Sequence, residues 1–145
     1  MITGFYHTGF VVSDLDAMIS FYQDVLGLSL KPRGDLTGQL ASQISGYPEA
    51  HVRVAFLGKE GDSHQVELVQ YISPPGCDRH ASKNDAGATH LCFLVDDLDA
   101  AYGKLSDRGV NFESPPVHLF RLKACLARDP EGNWLEFVEL LNQRG

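Results

Sequence analysis

Cysteine is scarce in this 145-residue chain; Cys77, Cys92 and Cys125 are odd in number and widely spaced. That pattern excludes a disulfide scaffold and suits reduced thiols in the cytoplasm. Long apolar runs are missing too, and none approaches the roughly 20 residues that a membrane helix needs. The opening residues, Met1-Ile2-Thr3-Gly4, lack the basic start and apolar run of a signal peptide, so a cytoplasmic location is expected. Positive charge is in short supply, with 12 Lys and Arg against 19 Asp and Glu and a formal net charge of −7. Nucleic acid therefore finds no electrostatic footprint. No G-x-G-x-x-G, P-loop or C-x-x-C occurs, so neither a nucleotide cofactor nor a zinc ribbon is expected. A hydrophobic fraction of 43% is too high for a disordered chain, and the length fits one compact domain spanning 1–145.

What the chain does contain is a repeat. HTGFVVSDLDA from His7 and HLCFLVDDLDA from His90 agree at seven of 11 positions. Later in each half QVELVQ (65–70) corresponds to WLEFVE (134–139), pairing Glu67 with Glu136. The order is the same in both halves, which marks a tandem duplication. His and Glu are 60 residues apart in the first copy and 46 in the second. The first copy thus carries an extra segment, expected within Pro32–His51.

Each copy opens on a strand signal rich in β-branched and aromatic residues. A helix start follows, with Ser13 or Asp14 as N-cap in one copy and Asp96 or Asp97 in the other. Apolar residues then recur at helical spacing up to Gly27 and Gly109, both placed as C-terminal caps. Short strands are expected at about 28–31, 51–58 and 64–71, then at 110–113, 118–127 and 133–140, with DPEGN (129–133) as a turn. The reading is α+β: two tandem βαβββ modules, about 1–72 and 89–145, joined by a Pro-, Gly- and polar-rich linker at about 73–88.

Residues i and i+2 share a strand face, so each module places a His and a Glu at equivalent positions. An ionised carboxylate buried unpaired in such a strand costs several kcal/mol, and a shared cation removes that cost. Two neutral imidazoles and two carboxylates balance a divalent ion and leave two positions open on a six-coordinate one. His7, Glu67, His90 and Glu136 are the candidate ligands. His51, His64, His80 and His118 have no duplicate partner and are read as ordinary histidines. Cys92 is read as a buried structural thiol. Trp134 is read as either a pocket wall or plain core.

The two stretches HTGFVVSDLDAMISFYQDVLGL and DPEGNWLEFVEL resemble the vicinal oxygen chelate superfamily, which includes glyoxalase I, methylmalonyl-CoA epimerase, extradiol dioxygenases and bleomycin- or fosfomycin-resistance proteins. The resemblance covers the whole chain. It implies that the modules build a curved, cup-shaped, eight-stranded sheet with the metal inside it. Carried over by position, His7, Glu67, His90 and Glu136 match all four ligands of the glyoxalase-type site. Binding-only members generally lack the full set, so an enzyme is expected. Nickel, zinc, cobalt, manganese and iron all suit the donors. Paired modules in this family commonly dimerise, so a homodimer is expected, with a small substrate carrying neighbouring oxygens as the other partner.

The activity implied is that of a lyase, isomerase or epimerase that takes a proton from carbon beside a carbonyl and stabilises the enediolate by chelation. A ligand glutamate, Glu67 or Glu136, serves as base in glyoxalase I-like sites. YPEAHVRVAFL (47–57) resembles the epimerase stretch that carries a separate glutamate, which puts Glu49 forward as well. Glyoxalase I also needs cations for glutathione carboxylates, and Arg33, Arg53 and Arg121 are candidates. Two alternatives differ in class: a ring-cleaving extradiol-type dioxygenase using iron, and a non-catalytic binding or resistance protein with Trp134 and Phe120 lining the cup.

Overall fold

The structure, a computed structural model, describes residues 1–77 and 82–141. The chain divides into two compact units, Met1–Asp78 and Arg79–Gly145, a boundary inside the expected linker. His80 and the rest of 78–81 lie outside the described residues.

The first unit runs β1 (His7–Val11), α1 (Leu15–Ser20), a π-helical turn (Phe21–Val25), β2 (Ser29–Leu36), α2 (Gly38–Ser45), β3 (His51–Gly58) and β4 (Gln65–Ser73). Its sheet has the order β1-β4-β3-β2, with β1 parallel to β4 and the other pairs antiparallel. The second unit repeats the plan with β5 (His90–Leu94), α3 (Leu98–Asp107), β6 (Asn111–Phe112), β7 (Val117–Leu119), β8 (Leu122–Arg128) and β9 (Trp134–Leu140). Its order is β5-β9-β8-β6, and β7 also pairs with β8. Two mixed sheets of four and five strands with three α-helices make the fold α+β.

The shared D-L-D-A motif proves to be structural. Asp14 and Asp97 are the N-caps, accepting from Ala17 N at 3.0 Å and Ala100 N at 2.9 Å. Two residues on, Asp16 and Asp99 each receive a cation from a strand of their own sheet. Arg53 of β3 reaches Asp16 at 3.1 Å, and Lys123 of β8 reaches Asp99 at 2.6 Å. The same cations also meet β4 and β9: Arg53 donates to Gln70 at 3.3 Å, and Lys123 lies 3.3 Å from Glu139. Gln70 and Glu139 in turn accept from Leu15 N and Leu98 N, the first residues of the helices. The intervening Leu15 and Leu98 are buried at 1% and 0% exposure and pin each helix to its sheet. Gly109, with φ +86, closes α3 in a Schellman arrangement in which Val110 N donates to Leu105 O and Gly109 N to Ser106 O.

Two expectations change in detail. The extra segment of the first copy holds the end of β2 and the helix α2, whose Ala41 packs with Ala50 and Val52 in a small core of its own. Pro32 falls where the β2–β3 register shifts between Leu30 and Arg33, an irregularity that lets the strand run on to Leu36. The single strand expected over 118–127 is instead a hairpin, with Leu119 opposite Leu122 and Phe120 in a left-handed conformation at φ +49. The strands therefore number nine among the described residues rather than eight. No Gly, Asn or Pro announces that turn, which is why it reads as strand.

Candidate metal centre

The parallel pairing of the first strand of each unit with its last one decides where the His and Glu side chains meet. Register aligns Gly9 with Glu67 and Cys92 with Glu136, while His7 and His90 lie two residues earlier on the same face. His7 Nε2 is 3.1 Å from Glu67 Oε2, and His90 Nε2 is 3.2 Å from Glu136 Oε2. The Glu side chains are half-buried, at 19% and 28% exposure. The duplication thus extends from sequence to interatomic distance.

The spacing within each pair equals that of two neighbouring donors to one cation. Metal–ligand bonds of about 2.1 Å meeting near right angles put neighbouring donors about 3 Å apart. The space beside Glu67 is kept clear by Gly9, where a Cβ would lie 3.2 Å from the Glu67 Oε2. The second unit has Cys92 at that position. Cys92 is exposed, which corrects its reading as a buried thiol. Partial burial of the sulfur, followed by the negative charge of Glu136 and a hydrogen bond to it, pushes this thiol up to about 11. Within either unit, no set of three or more His, Cys, Asp or Glu groups among the described residues is disposed to hold a cation. Each unit supplies a pair.

The surroundings of the two pairs differ. His7 is flanked edge-on by Tyr6 at 5.2 Å and Phe56 at 5.5 Å between ring centroids. In the second unit Leu126 takes the place of Phe56 opposite the glutamate. There a cavity of about 230 Å³ opens beside the pair, lined by Lys83, Thr89, His90, Leu126, Trp134 and Glu136. Trp134 is both of the things expected of it: 5% exposed as core, and a wall of this cavity. Neither Lys83 nor Gly9 stood out in the sequence, since a linker lysine and a strand glycine carry no motif.

The remaining candidates lie elsewhere. Glu49 is exposed in the turn before β3, at φ +52, and makes no ion pair among the described residues. Arg33 and Arg53 both point at Asp16, at 3.3 and 3.1 Å, so a structural ion pair engages the expected anion-binding groups. Arg121 follows Phe120 in the β7–β8 turn, and Phe120 is fully exposed. His51 contacts Asp35 at 2.6 Å, and His64 contacts Thr8 at 2.8 Å.

A model of the Glyoxalase/Bleomycin resistance protein/Dioxygenase superfamily matches residues 4–137. The chain belongs to this superfamily. Among its relatives in the glyoxalase superfamily, the lactoylglutathione lyase of Haemophilus influenzae is 32% identical over 135 residues, covering 92% of this chain and 90% of that one. A probable lactoylglutathione lyase of Synechocystis is 28% identical over 142 residues, covering 95% and 96%. The crystal structure of a glyoxalase family protein from Bacillus cereus superposes with a TM-score of 0.87 at 26% identity, covering 98% of this chain and 97% of that one. An antibiotic binding protein from Streptomyces shares the fold, with a TM-score of 0.67 at 22% identity over 96% of this chain and 97% of that one. The glyoxalase superfamily fold therefore carries binders as well as enzymes. Among the described residues no helix is long and apolar enough to cross a membrane.

Proposed function

We propose that this glyoxalase-superfamily chain is a divalent-metal-dependent enzyme of the lactoylglutathione lyase type, acting on a small substrate with neighbouring oxygens. The observation that carries the reading is the twin His–Glu geometry: 3.1 Å in one unit and 3.2 Å in the other, at positions related by the internal duplication. A structural ion pair needs only one copy. A four-donor set of two imidazoles and two carboxylates needs both. His7, Glu67, His90 and Glu136 would hold the ion, which when bound supplies Lewis-acid stabilisation of negative charge developing on two substrate oxygens. The identity of the metal, among nickel, zinc, cobalt, manganese and iron, belongs to the experiment.

The chain itself must move the proton. A carboxylate beside the substrate takes the hydrogen from carbon next to the carbonyl and returns it to the neighbouring carbon. Glu67 and Glu136 are half-buried, each with a histidine beside it. Gly9 leaves Glu67 room to shift, whereas Cys92 stands against Glu136. Each unit also leaves an apolar residue open on the histidine-bearing strand, Val11 at 64% and Leu94 at 68% exposure. The working form is read as a cytoplasmic homodimer, as the resemblance to paired-module members of the superfamily implies.

Metal uptake and turnover test this reading together. Chelator-stripped protein is titrated with nickel, cobalt, zinc and manganese, then assayed for lactoylglutathione formation from glutathione and methylglyoxal. The expected result is one ion per chain, lost in His7→Ala and His90→Ala. Glu67→Gln, Glu136→Gln and Glu49→Gln are then compared for metal retention against turnover. A Glu49→Gln variant that keeps its metal but loses turnover would transfer the base role from the ligand glutamates to Glu49. Wild-type protein that takes up no metal would overturn the proposal.

A further inference from the structure

The segment that leads into β5 is tied to the rest of the second unit by one charged side chain. Residues 82–87 are all exposed. Among the described residues, the backbone hydrogen bonds of 82–88 stay within the segment. Ser82 N donates to Asp85 Oδ2 at 2.8 Å, Asp85 N to Ser82 O at 2.9 Å, and Ala88 N to Asp85 O at 3.0 Å. Lys83 alone reaches across, with Nζ 2.6 Å from Glu113 Oε2 and 4.9 Å from the centre of the Trp134 ring. Glu113 is itself anchored, because its backbone N–H donates to Leu126 O of β8 at 2.9 Å. The Lys83 and Glu113 side chains are 49% and 36% exposed, so water and salt weaken the pair they form. A contact of that strength does not clamp a segment with so little buried surface; it sets an opening equilibrium.

The backbone supplies a hinge. Gly87 sits at φ +92, which glycine adopts without strain, and a Cβ there would meet nothing within 4 Å. What the segment covers is the cavity of about 230 Å³ beside the second His–Glu pair. Lys83, Ala88 and Thr89 line it from the segment, while Leu126, Trp134 and Glu136 line it from the sheet. The register that pairs His90 with Trp134 pairs His7 with Gln65 in the first unit, so the indole against which Lys83 rests exists in one copy only.

We propose that residues 82–88 form a strap that opens and closes over this cavity, hinged at Gly87 and latched by Lys83 to Glu113 and the Trp134 ring. Closed, the strap walls one side of the space beside His90 and Glu136. Open, it admits a small molecule to that space. That such a molecule meets a metal ion there rests on the enzyme reading above; the latch itself does not.

Trp134 is the sole tryptophan in the chain and is 5% exposed, so acrylamide quenching of its emission in metal-free protein reports strap opening. Glu113→Ala is the deciding variant, because it releases the latch while leaving the lysine able to rest on the ring. It should raise the quenching constant by up to about fivefold, the most that an exposed ion pair contributes to such an equilibrium. Lys83→Met should do the same, the double variant should add nothing further, and Lys83→Arg should stay near wild type. Sodium chloride at about 1 M should raise quenching in the wild type and leave Glu113→Ala unmoved. Near-UV circular dichroism and thermal unfolding check that the variants keep the fold. Quenching that is unchanged in Glu113→Ala, indifferent to salt in the wild type, or additive in the double variant would each overturn the strap. Nickel uptake measured in parallel keeps the two readings apart. A strap that opens in a chain taking up no nickel defeats the enzyme proposal alone, and nickel uptake with an unresponsive Trp134 defeats the strap alone.

Discussion

Gly9 and Glu67 stand in register across the parallel β1–β4 pair, and a Cβ on Gly9 would come within 3.2 Å of the Glu67 Oε2. That distance is tighter than ordinary van der Waals contact, so the carboxylate must give way by a few tenths of an ångström. Gly9→Ala should therefore leave the fold intact and lower metal affinity by about tenfold, the usual cost of disturbing a group that supports a ligand. Competition against a chromogenic chelator measures it. An unchanged affinity would show that Glu67 has slack, or is no ligand.

The helix caps offer a test of the repeated motif. Asp97 accepts from Ala100 N at 2.9 Å at the start of α3. Asp97→Ala should cost about 1 kcal/mol of stability. Urea unfolding should show a lower midpoint with an unchanged slope, since the cap adds little buried surface. Metal uptake should be unaffected, because α3 contributes no proposed ligand.

The core of the second sheet should be far less forgiving. Leu135 is fully buried on β9 and pairs in register with Leu91 of β5, the strand that carries His90. Leu135→Ala should cost about 2–5 kcal/mol through lost burial and the cavity left behind. Thermal unfolding followed by circular dichroism reads this directly.

Glu113 sets a pH dependence whose sign is determined. The hydrogen bond from Lys83, aided by the charges of Lys83 and Arg128, holds its carboxyl below the ordinary 4.5. A carboxyl lowered in the folded state contributes stability above pH 4.5 and loses it as pH falls toward the folded value. Carboxyl-carbon NMR should show Glu113 titrating below 4.5 in the native chain and moving upward in Lys83→Met. No upward movement would mean that Lys83 does not hold Glu113.

The thiols should separate by reactivity. Burial, then the charge of Glu136, pushes the Cys125 thiol up to about 11, whereas Cys77 is exposed. Iodoacetamide near pH 8 should label Cys77 first and leave Cys125 untouched until the chain unfolds, as mass spectrometry of tryptic peptides would show.

How much of this was legible in the chain depends on whether neighbours in sequence or neighbours in space carry the information. Local signals narrowed each N-cap to two neighbouring residues, of which Asp14 and Asp97 are the caps, and read correctly Gly27 and Gly109 as left-handed helix ends and the strands holding Glu67 and Glu136. The β7–β8 turn did not, because Phe120 adopts a left-handed backbone that nothing in its residue type announces. The role of D-L-D-A was visible only in part. Its first Asp is a cap by local rule, but its second is matched to Arg53 or Lys123 from a strand far along the chain.

The sequence by itself determined the duplication and, through strand alternation, the shared face on which each His and Glu stands. Alternation has a period of two residues, so a repeat in the chain is necessarily a repeat in side-chain direction. Only the tertiary structure decided register, and register is long-range. It set Gly9 beside Glu67, Cys92 beside Glu136 and Trp134 beside His90. It also engaged Arg33 and Arg53 with Asp16 while gathering Lys83, Arg128 and Glu113 around one indole. Identical motifs thus acquire different surroundings, because parallel pairing brings to each histidine a residue from the far end of its module, where the two copies differ.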